Sequence, residues 1–425
     1  MKKKFKIVGL LFLFLILAGA VFFVSKNEAL PIGKKGKAAD ALATKMLQAI
    51  NYDAYINTEV LEWSFRNKHH YKWFKKQHRV RVSWDKNVVD LNTISPAKSK
   101  VFIDNQEIDN PGLIAKATAY FNNDSFWLVA PYKVFDPGTE RRIVQHQGKD
   151  ALLITYTSGG TTPGDSYLWI LEESGQPISF KMWTQIIPIG GVAASWSALR
   201  TTESGILLPT SHTLSLFGMK LSMGNVKSYN PKANALAHKI LKAIKHENYK
   251  KTNHIEWSFG GRRAYKWDKE RHIVRVSWDS IQVVLHPNNL DKSSIYYHNK
   301  LVSTKNKPLI TKANNLFNND SFWLVAPHKL FEKGIIRSIQ KEAGKDALLV
   351  KYTVGGTTPG DAYLWLLDDH FIPKSYKMFV PSMKMEGTPA TWDHWITTES
   401  GTLLPTSHSF DGGRKLSMGK VKATI

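Results

Sequence analysis

The sequence predicts an α+β fold, built as two tandem domains in which a curved antiparallel sheet is covered by helices, after an N-terminal transmembrane helix. Three observations predict it: a long internal repeat, a helical stretch at the start of each copy, and apolar residues that alternate with polar ones over most of the remainder. A helix followed by a long antiparallel meander, with one more helix inserted midway, is typical of this class.

The internal repeat covers nearly everything after residue 37. The segment FNNDSFWLVAP at 121–131 recurs unchanged at 317–327, and VRVSWD at 80–85 recurs at 274–279, so the copies are offset by 194 to 196 residues. Repeats of this length are self-sufficient domains rather than solenoid units. We therefore place the two domains at residues 38–228 and 229–425.

The first 37 residues predict the compartment. Residues 1–6 are rich in lysine, and residues 7–24 contain no charged side chain. As a helix this apolar run would be about 27 Å long, close to the ~30 Å hydrocarbon core, so we expect an uncleaved anchor, with a cleaved signal as the alternative. The lysines keep the N-terminus in the cytoplasm, which makes this a single-pass inner-membrane protein with periplasmic domains. We expect residues 25–37 to be a flexible basic tether that lies against the membrane surface.

Composition excludes several classes of protein. Hydrophobic residues make up 43% of the chain, which is too many for a disordered polymer. Cysteine is absent, which excludes disulfides, thiolate metal sites and cysteine nucleophiles. The net charge of +23 favours an anionic partner, and outside the cytoplasm we expect that partner to be a membrane surface and not nucleic acid. No cofactor-binding motif is present, and we expect no cofactor and no metal.

Apolar spacing predicts the elements of each copy. The opening helix has one apolar stripe, with Asp40 as its predicted N-cap; the stripe comprises Leu42, Met46, Leu47 and Ile50 in the first copy and Leu236, Ile240, Leu241 and Ile244 in the second. The inserted helix is predicted at 113–121 and 309–317, each leading into a strand at 126–129 and 322–325. Most other segments alternate as half-buried strands, whose arginines, Arg79, Arg81 and Arg275, mark the solvated convex face.

Tryptophans recur on the inward side of the alternating strands in both copies. Together with Phe126 or Trp127 they would either fill a core or line an apolar pocket between sheet and helices, and both arrangements require the same residues. The candidate ligand-binding residues are Trp63, Trp73, Trp84 and Trp169 in the first copy and Trp257, Trp267, Trp278 and Trp365 in the second.

The polar motifs favour structural roles over chemical ones. Pro163-Gly164 suits the centre of a type II turn, and Asp124 and Asp320, which follow paired asparagines, are predicted to form Asx turns before a strand. The motif Ser211-His212 gives no catalytic pair, because adjacent strand residues point to opposite faces. We expect no catalytic residues.

Several segments resemble the bacterial lipoprotein carriers LolA and LolB, in the branch of outer membrane lipoprotein-sorting protein-like domains. They are FWLVAP at 126–131, KVFDPG at 133–138 and TTPGDSYLW at 161–169. The resemblance covers most of each copy and implies an unclosed β-barrel with a helical lid, whose hydrophobic cavity receives acyl chains. The chain departs from those carriers by its two domains, its predicted tether, and the change of KVFDPG to KLFEKG at 329–334.

These observations predict a membrane-tethered extracytoplasmic protein that binds a lipid, a lipoprotein acyl chain or another hydrophobic ligand without catalysis. The alternative is a non-enzymatic envelope scaffold or interaction module with filled cores and a protein partner in the envelope. A hydrolase is least favoured, because the sequence pairs no nucleophile with a base. A continuous cavity of ~300 Å³ or more would favour binding over the scaffold.

Overall fold

The computed structural model describes residues 24–303, 306–354 and 358–425. They form two units that divide between Tyr229 and Asn230. The predicted cytoplasmic segment at 1–6, and the predicted membrane segment at 7–24 apart from Val24, lie outside the described residues. Within the three described stretches, no helix combines the length and the apolar character needed to cross a membrane.

The first unit consists mostly of antiparallel strands. Its helices are α1 (Lys37–Ala49), α2 (Tyr52–Asn57) and α3 (Pro111–Val129). Its strands are β1 (Val60–Phe65), β2 (His69–Phe74), β3 (Arg79–Trp84), β4 (Asn87–Asn92), β5 (Lys100–Ile103), β6 (Gln106–Ile108), β7 (Thr139–His146), β8 (Lys149–Tyr156), β9 (Ser166–Leu171), β10 (Pro177–Trp183), β11 (Val192–Ser195), β12 (Ser197–Thr201), β13 (Leu207–Thr213), β14 (Lys220–Ser222) and β15 (Lys227–Tyr229).

Three antiparallel sheets of the first unit join into one curved surface. Their strand orders are β15-β1-β2-β3-β4-β5-β6, β11-β10-β9-β8-β7 and β12-β13-β14. The first and third sheets are linked where the Ser64 N–H donates to the Met223 carbonyl (3.1 Å), and the second and third where Ala194 bridges Leu214. Among the described residues β6 and β7 end their sheets without pairing with each other, so the surface remains unclosed.

The second unit repeats this order of elements. Its helices are α4 (Pro231–Ala243), α5 (His246–Lys251) and α6 (Lys307–Val325). Its sheets have the orders β21-β20-β19-β18-β17-β16-β30, β22-β23-β24-β25-β26 and β27-β28-β29. The strands are β16 (His254–Phe259), β17 (Arg263–Asp268), β18 (Ile273–Trp278), β19 (Ile281–Leu285), β20 (Ser294–Tyr297), β21 (Lys300–Ser303), β22 (Ile335–Glu342), β23 (Lys345–Tyr352), β24 (Ala362–Leu367), β25 (Pro373–Val380), β26 (Met385–Thr391), β27 (Asp393–Thr397), β28 (Leu403–Ser409), β29 (Lys415–Ser417) and β30 (Lys422–Thr424).

The opening helix of the first unit packs through its predicted apolar stripe. Met46, Leu47 and Ile50 are buried there, because helical spacing turns all three toward the sheet. The prediction that Asp40 caps the helix is wrong. The N-cap is Gly36, and Asp40 lies in the first turn, where its carboxylate accepts a hydrogen bond from Arg141 Nε (2.5 Å).

The predicted strands at 126–129 and 322–325 are also wrong, because both segments are the ends of long helices. Asn110 caps α3 by accepting a hydrogen bond from the Leu113 N–H (3.1 Å), and the helix then continues to Val129. The paired asparagines and Asp124 do not break it. Asp124 is buried and accepts a hydrogen bond from Tyr71 of β2. This tertiary contact overrides the low helix propensity of the segment, and no Asx turn forms.

The predicted alternation is confirmed for β3. Val80, Val82 and Trp84 of β3 are buried, whereas Arg79 and Arg81 are exposed on the opposite face. The turn between β1 and β2 contains two residues in the left-handed region, Arg66 and Asn67.

The predicted tether makes backbone contacts with the first unit. We call residues 25–37 the strap. The Glu28 N–H donates to the Gly190 carbonyl (2.9 Å), and the backbones of Lys34 and Ile143 exchange two hydrogen bonds of 2.9 Å. The bridge between Lys34 and Ile143 extends the sheet beyond β7, and both contacts give backbone groups of the strap hydrogen-bond partners.

The two units differ at one buried position after the long helix. In the first unit Tyr132 donates its hydroxyl hydrogen bond to the Leu207 carbonyl (2.7 Å). In the second unit the matching residue is His328, whose Nε2 lies 2.9 Å from the Leu403 carbonyl oxygen. Burial lowers the pKa of His328 to about 3, so the folded unit holds the ring neutral at pH values where a free histidine is protonated.

We predict that the second unit loses stability as the pH falls from about 6.5 toward 3, because the unfolded chain then binds a proton that the folded unit excludes. Between pH 7 and pH 5 the loss is about 2 kcal/mol. The neighbouring His246, whose pKa is lowered mainly by burial, acts in the same direction. Urea titrations read by hydrogen exchange of β28 peptides measure the loss.

The matched control is His328→Tyr, which installs the residue of the first unit. This variant should lose most of the acid sensitivity and keep the hydrogen bond to Leu403. An equal loss of stability in the wild-type chain and in this variant would contradict the assignment to His328.

Candidate functional site

A cavity of about 540 Å³ lies in the first unit, between the end of α3, the β8-β9-β10 sheet and the loop at 184–191 that follows β10. This volume is within the usual range of small-molecule sites, roughly 300–1,000 Å³. Its apolar walls consist of Phe65, Trp73, Phe121, Phe126, Trp127, Tyr156, Tyr167, Met182, Ile186 and Ile187.

The last two turns of α3 supply much of the aromatic wall. Phe126 packs against Tyr167 of β9 with ring centroids 4.2 Å apart, and Trp127 lies 6.4 Å from Phe65 of β1. Because the helix continues through these residues, their side chains reach both the β8-β10 sheet and the β1-β3 sheet. The helix end therefore lies between two sheets and forms one wall of the cavity.

A buried carboxylate fixes α3 against the first sheet. Asp124 is 1% exposed, accepts a hydrogen bond from the Tyr71 hydroxyl (2.5 Å) and lies 2.7 Å from His69 Nδ1. Burial, and then the Asp124 charge, raise the pKa of Tyr71, so its hydroxyl remains a donor. We call Asp124, His69 and Tyr71 the carboxylate clamp.

The second unit has a clamp of different chemistry. Asp320 on α6 accepts two hydrogen bonds from Arg263, at 2.6 Å from Nε and 3.0 Å from Nη2, and another from Tyr265. Arginine is charged at every ordinary pH and binds a carboxylate through two parallel bonds. The clamp of the second unit therefore rests on an arginine that makes two parallel bonds, whereas that of the first unit rests on a histidine.

Most polar groups around the cavity already have partners. Lys133 forms an ion pair with Asp136. Asp165 accepts hydrogen bonds from the Gln185 N–H (2.9 Å) and the Thr162 hydroxyl (2.6 Å). The predicted type II turn at Pro163-Gly164 is present, with Gly164 at φ +106, and it brings Thr162 close to Asp165.

The hydroxyl of Tyr156 differs from these groups. The Tyr156 side chain lines the cavity, while its hydroxyl oxygen is buried in the wall and has no hydrogen-bond partner in the described part of the chain. Burial raises the pKa of Tyr156, and the charge of Asp136 raises it further, so the group stays protonated. It is therefore an unpaired donor in the cavity wall, and leaving it unpaired has a free-energy cost.

The structure separates the four candidate tryptophans of the first unit. Trp73 lines the cavity and meets Phe121 edge to face at 5.2 Å. Trp63, Trp84 and Trp169 are 3%, 4% and 0% exposed and belong to the continuous core.

The candidate tryptophans of the second unit have similar surroundings. Trp257 is buried on Tyr265 (4.6 Å), and Trp267 is partly buried beside Phe317 (5.3 Å). Trp278 and Trp365 are 7% and 0% exposed and lie in two different core clusters. The loop of the second unit that matches 159–161 comprises residues 355–357, which lie outside the described residues.

Several lining residues, including Tyr156, Ile186 and Ile187, are not recognisable from the sequence. Their signal is weak, because each is an ordinary apolar residue at a strand end or in a loop. The repeated segment FNNDSFW would have indicated Phe121 as a lining residue if it had been interpreted as one continuous helix. It was instead interpreted as a helix, a turn and a strand.

In the motif Ser211-His212, the histidine makes structural contacts. The ring of His212 is buried, with Nδ1 2.8 Å from the Ser195 carbonyl oxygen and Nε2 2.7 Å from that of Trp127. It thus connects the end of α3 to β11. No group of three or more metal-ligating side chains occurs among the residues that the structure describes.

Comparisons with known proteins identify no family for this chain. No family model matches it, and no curated protein matches it. Among solved structures, the chain is similar to a DUF1329 family protein from Desulfovibrio piger, with a TM-score of 0.26 and 9% sequence identity, over 45% of this chain and 93% of that chain. A similarity at this TM-score assigns neither a fold nor a function.

We predict that breaking the clamp loosens the long helix of each unit to a different degree. His69→Ala leaves the Asp124 carboxylate with fewer donors and should cost about 1–3 kcal/mol. Arg263→Ala leaves an uncompensated buried charge and should cost about 3–5 kcal/mol. Hydrogen exchange of α3 and α6 peptides in the full chain measures both effects, and each variant serves as the control for the other unit. Unchanged exchange of α3 in His69→Ala would show that the clamp does not hold the helix.

Proposed function

We propose that this protein is a membrane-tethered, extracytoplasmic binding protein whose first unit holds a lipid, a lipoprotein acyl chain or another hydrophobic ligand without chemical change. One observation carries the proposal: the aromatic cavity of about 540 Å³, with the unpaired Tyr156 hydroxyl buried in its wall. The resemblance of the sequence to the LolA and LolB carriers supports the same class of ligand.

The lining favours an amphiphile with a long apolar part. Burial of a methylene group contributes about 0.8 kcal/mol, so eight of them contribute about 6 kcal/mol before the costs of ordering the chain. Lys133 and Asp136 already pair with each other, and Asp165 already accepts hydrogen bonds, so these groups offer little to a charged headgroup. Tyr156 can donate to an ester, amide or carboxyl oxygen, which adds about 1 kcal/mol. The ligand expected here therefore has a hydrogen-bond acceptor next to its apolar chain.

The proposed location depends on the N-terminal sequence. Four lysines and the apolar run at 7–24 support a single-pass inner-membrane anchor, with both units in the periplasm. An acylated protein of the envelope is the partner class that would supply such a ligand. The proposal concerns the first unit alone, and we assign no ligand to the second.

Two variants test the cavity in the full chain, with a fluorescent fatty acid as the probe. Ser125→Phe fills space at the cavity wall and should weaken probe binding at least tenfold, because the acyl chain then loses its place. Tyr156→Phe removes only the free donor and should weaken binding about fivefold, which corresponds to about 1 kcal/mol.

The matched control is Tyr352→Phe, which removes the corresponding hydroxyl of the second unit and should leave binding to the first unit unchanged. A wild-type chain that binds no probe, or Ser125→Phe that binds it normally, would contradict the proposal. Either result would favour an envelope scaffold with a protein partner.

A further inference from the structure

We propose that the first unit docks on an anionic lipid bilayer through the edge beside its cavity, so that ligand enters directly from the membrane. The docking edge consists of the loop at 184–191, the tip of the β13-β14 hairpin at 216–219, and the start of the strap at 25–28. The identity of what enters rests on the proposed function. The orientation itself rests on three observations that do not involve a ligand.

The first observation is where the strap begins. Glu28 is held at the 184–191 loop, because its N–H donates to the Gly190 carbonyl and its carbonyl accepts from Trp183 Nε1 (2.8 Å). A Cβ on Gly190 would lie 2.6 Å from the Glu28 carbonyl oxygen, so the contact is close-packed. Glu28 lies only four positions after Val24, and four residues span at most about 14 Å. If residues 7–24 cross the bilayer, the loop must lie within that distance of its surface.

The second observation is a set of exposed apolar side chains on the same edge. Ile186 lines the cavity and is 67% exposed, while Phe217 and Met219 at the hairpin tip are 80% and 45% exposed. The base of the tip lies next to the strand that follows the loop, because the Ser215 N–H donates to the Ala193 carbonyl (2.7 Å) and Leu214 forms an antiparallel bridge with Ala194. Aromatic and aliphatic residues clustered at loop tips are suited to insertion at the membrane interface.

The third observation is the charge around these tips. Lys220 follows the tip directly, and the turn that carries Arg66 and Lys68 is beside it, because the Arg66 N–H donates to the Ser222 carbonyl (2.8 Å). All three basic side chains are exposed. The acidic residue of the strap on this edge, Glu28, is paired with Lys181 (2.7 Å). The edge thus presents cations next to apolar tips, a combination that complements anionic lipid headgroups.

The second unit supplies an internal comparison. Its matching hairpin tip reads Asp411-Gly412-Gly413-Arg414, without an apolar side chain. The preceding Phe410 is only partly exposed and packs on Trp323 (5.5 Å) and the core. An exposed apolar tip is therefore a property of the first unit's hairpin and not a general consequence of the fold.

The absence of cysteine makes a direct depth measurement available, because a single introduced thiol is the only one in the chain. Phe217→Cys and Asp411→Cys would be labelled with an environment-sensitive fluorophore in the full chain. Each would be reconstituted into vesicles of phosphatidylethanolamine and phosphatidylglycerol that contain lipids with a nitroxide quencher. We expect quenching at position 217 to exceed quenching at 411 several-fold. Equal quenching at the two positions, or a label at 217 that is shielded but unquenched because a protein covers it, would overturn the proposal.

A second measurement separates this proposal from the proposed function. The double variant Phe217→Ser with Met219→Ser changes no residue of the cavity wall. It should slow the transfer of fluorescent fatty acid from vesicles several-fold and leave affinity for the probe added from solution unchanged. Transfer at the wild-type rate would overturn the docking proposal. A wild-type chain that binds no probe would refute the proposed function, while the depth measurement would still decide the orientation.

Discussion

The buried carboxylate of Asp124 is the constraint on which the first unit depends. It lies in α3 and contacts His69 and Tyr71 of β2, so these contacts fix the helix over the concave face. The local sequence of the helix, with two asparagines before Asp124, does not by itself favour a helix at this point. Beyond this point Phe126 and Trp127 continue the helix between two sheets. The cavity occupies the space beside them, and its walls therefore follow from where the clamp places α3.

The two units solve the same structural problems with different chemistry. A histidine completes the clamp of the first unit and an arginine that of the second, and a tyrosine hydroxyl at Tyr132 corresponds to a neutral imidazole at His328. Such pairs make each unit a control for the other.

The spacing of apolar residues predicted those helices and strands that bury one face against the rest of the unit. The stripe of α1 and the alternation of β3 came from spacing, because burial on one face requires it. The full length of α3 was missed, since the contact that keeps Asp124 helical comes from Tyr71, 53 residues earlier. The docked strap was missed for the same reason, because Glu28 meets Gly190 only in the folded chain. Pattern alone did not separate the core tryptophans from Trp73 at the cavity wall, because all four lie on strands and are partly or fully buried.

Photo-crosslinking tests the central claim, that the first unit holds an acyl chain, most directly. A fatty acid with a diazirine in the middle of its chain would be bound to the full-length protein, irradiated, and located by mass spectrometry of the peptides. We expect crosslinks to the end of α3, around Phe121 and Trp127, and to the loop around Ile187. Crosslinks confined to residues 7–24, or spread over the convex face of the sheet, would contradict it.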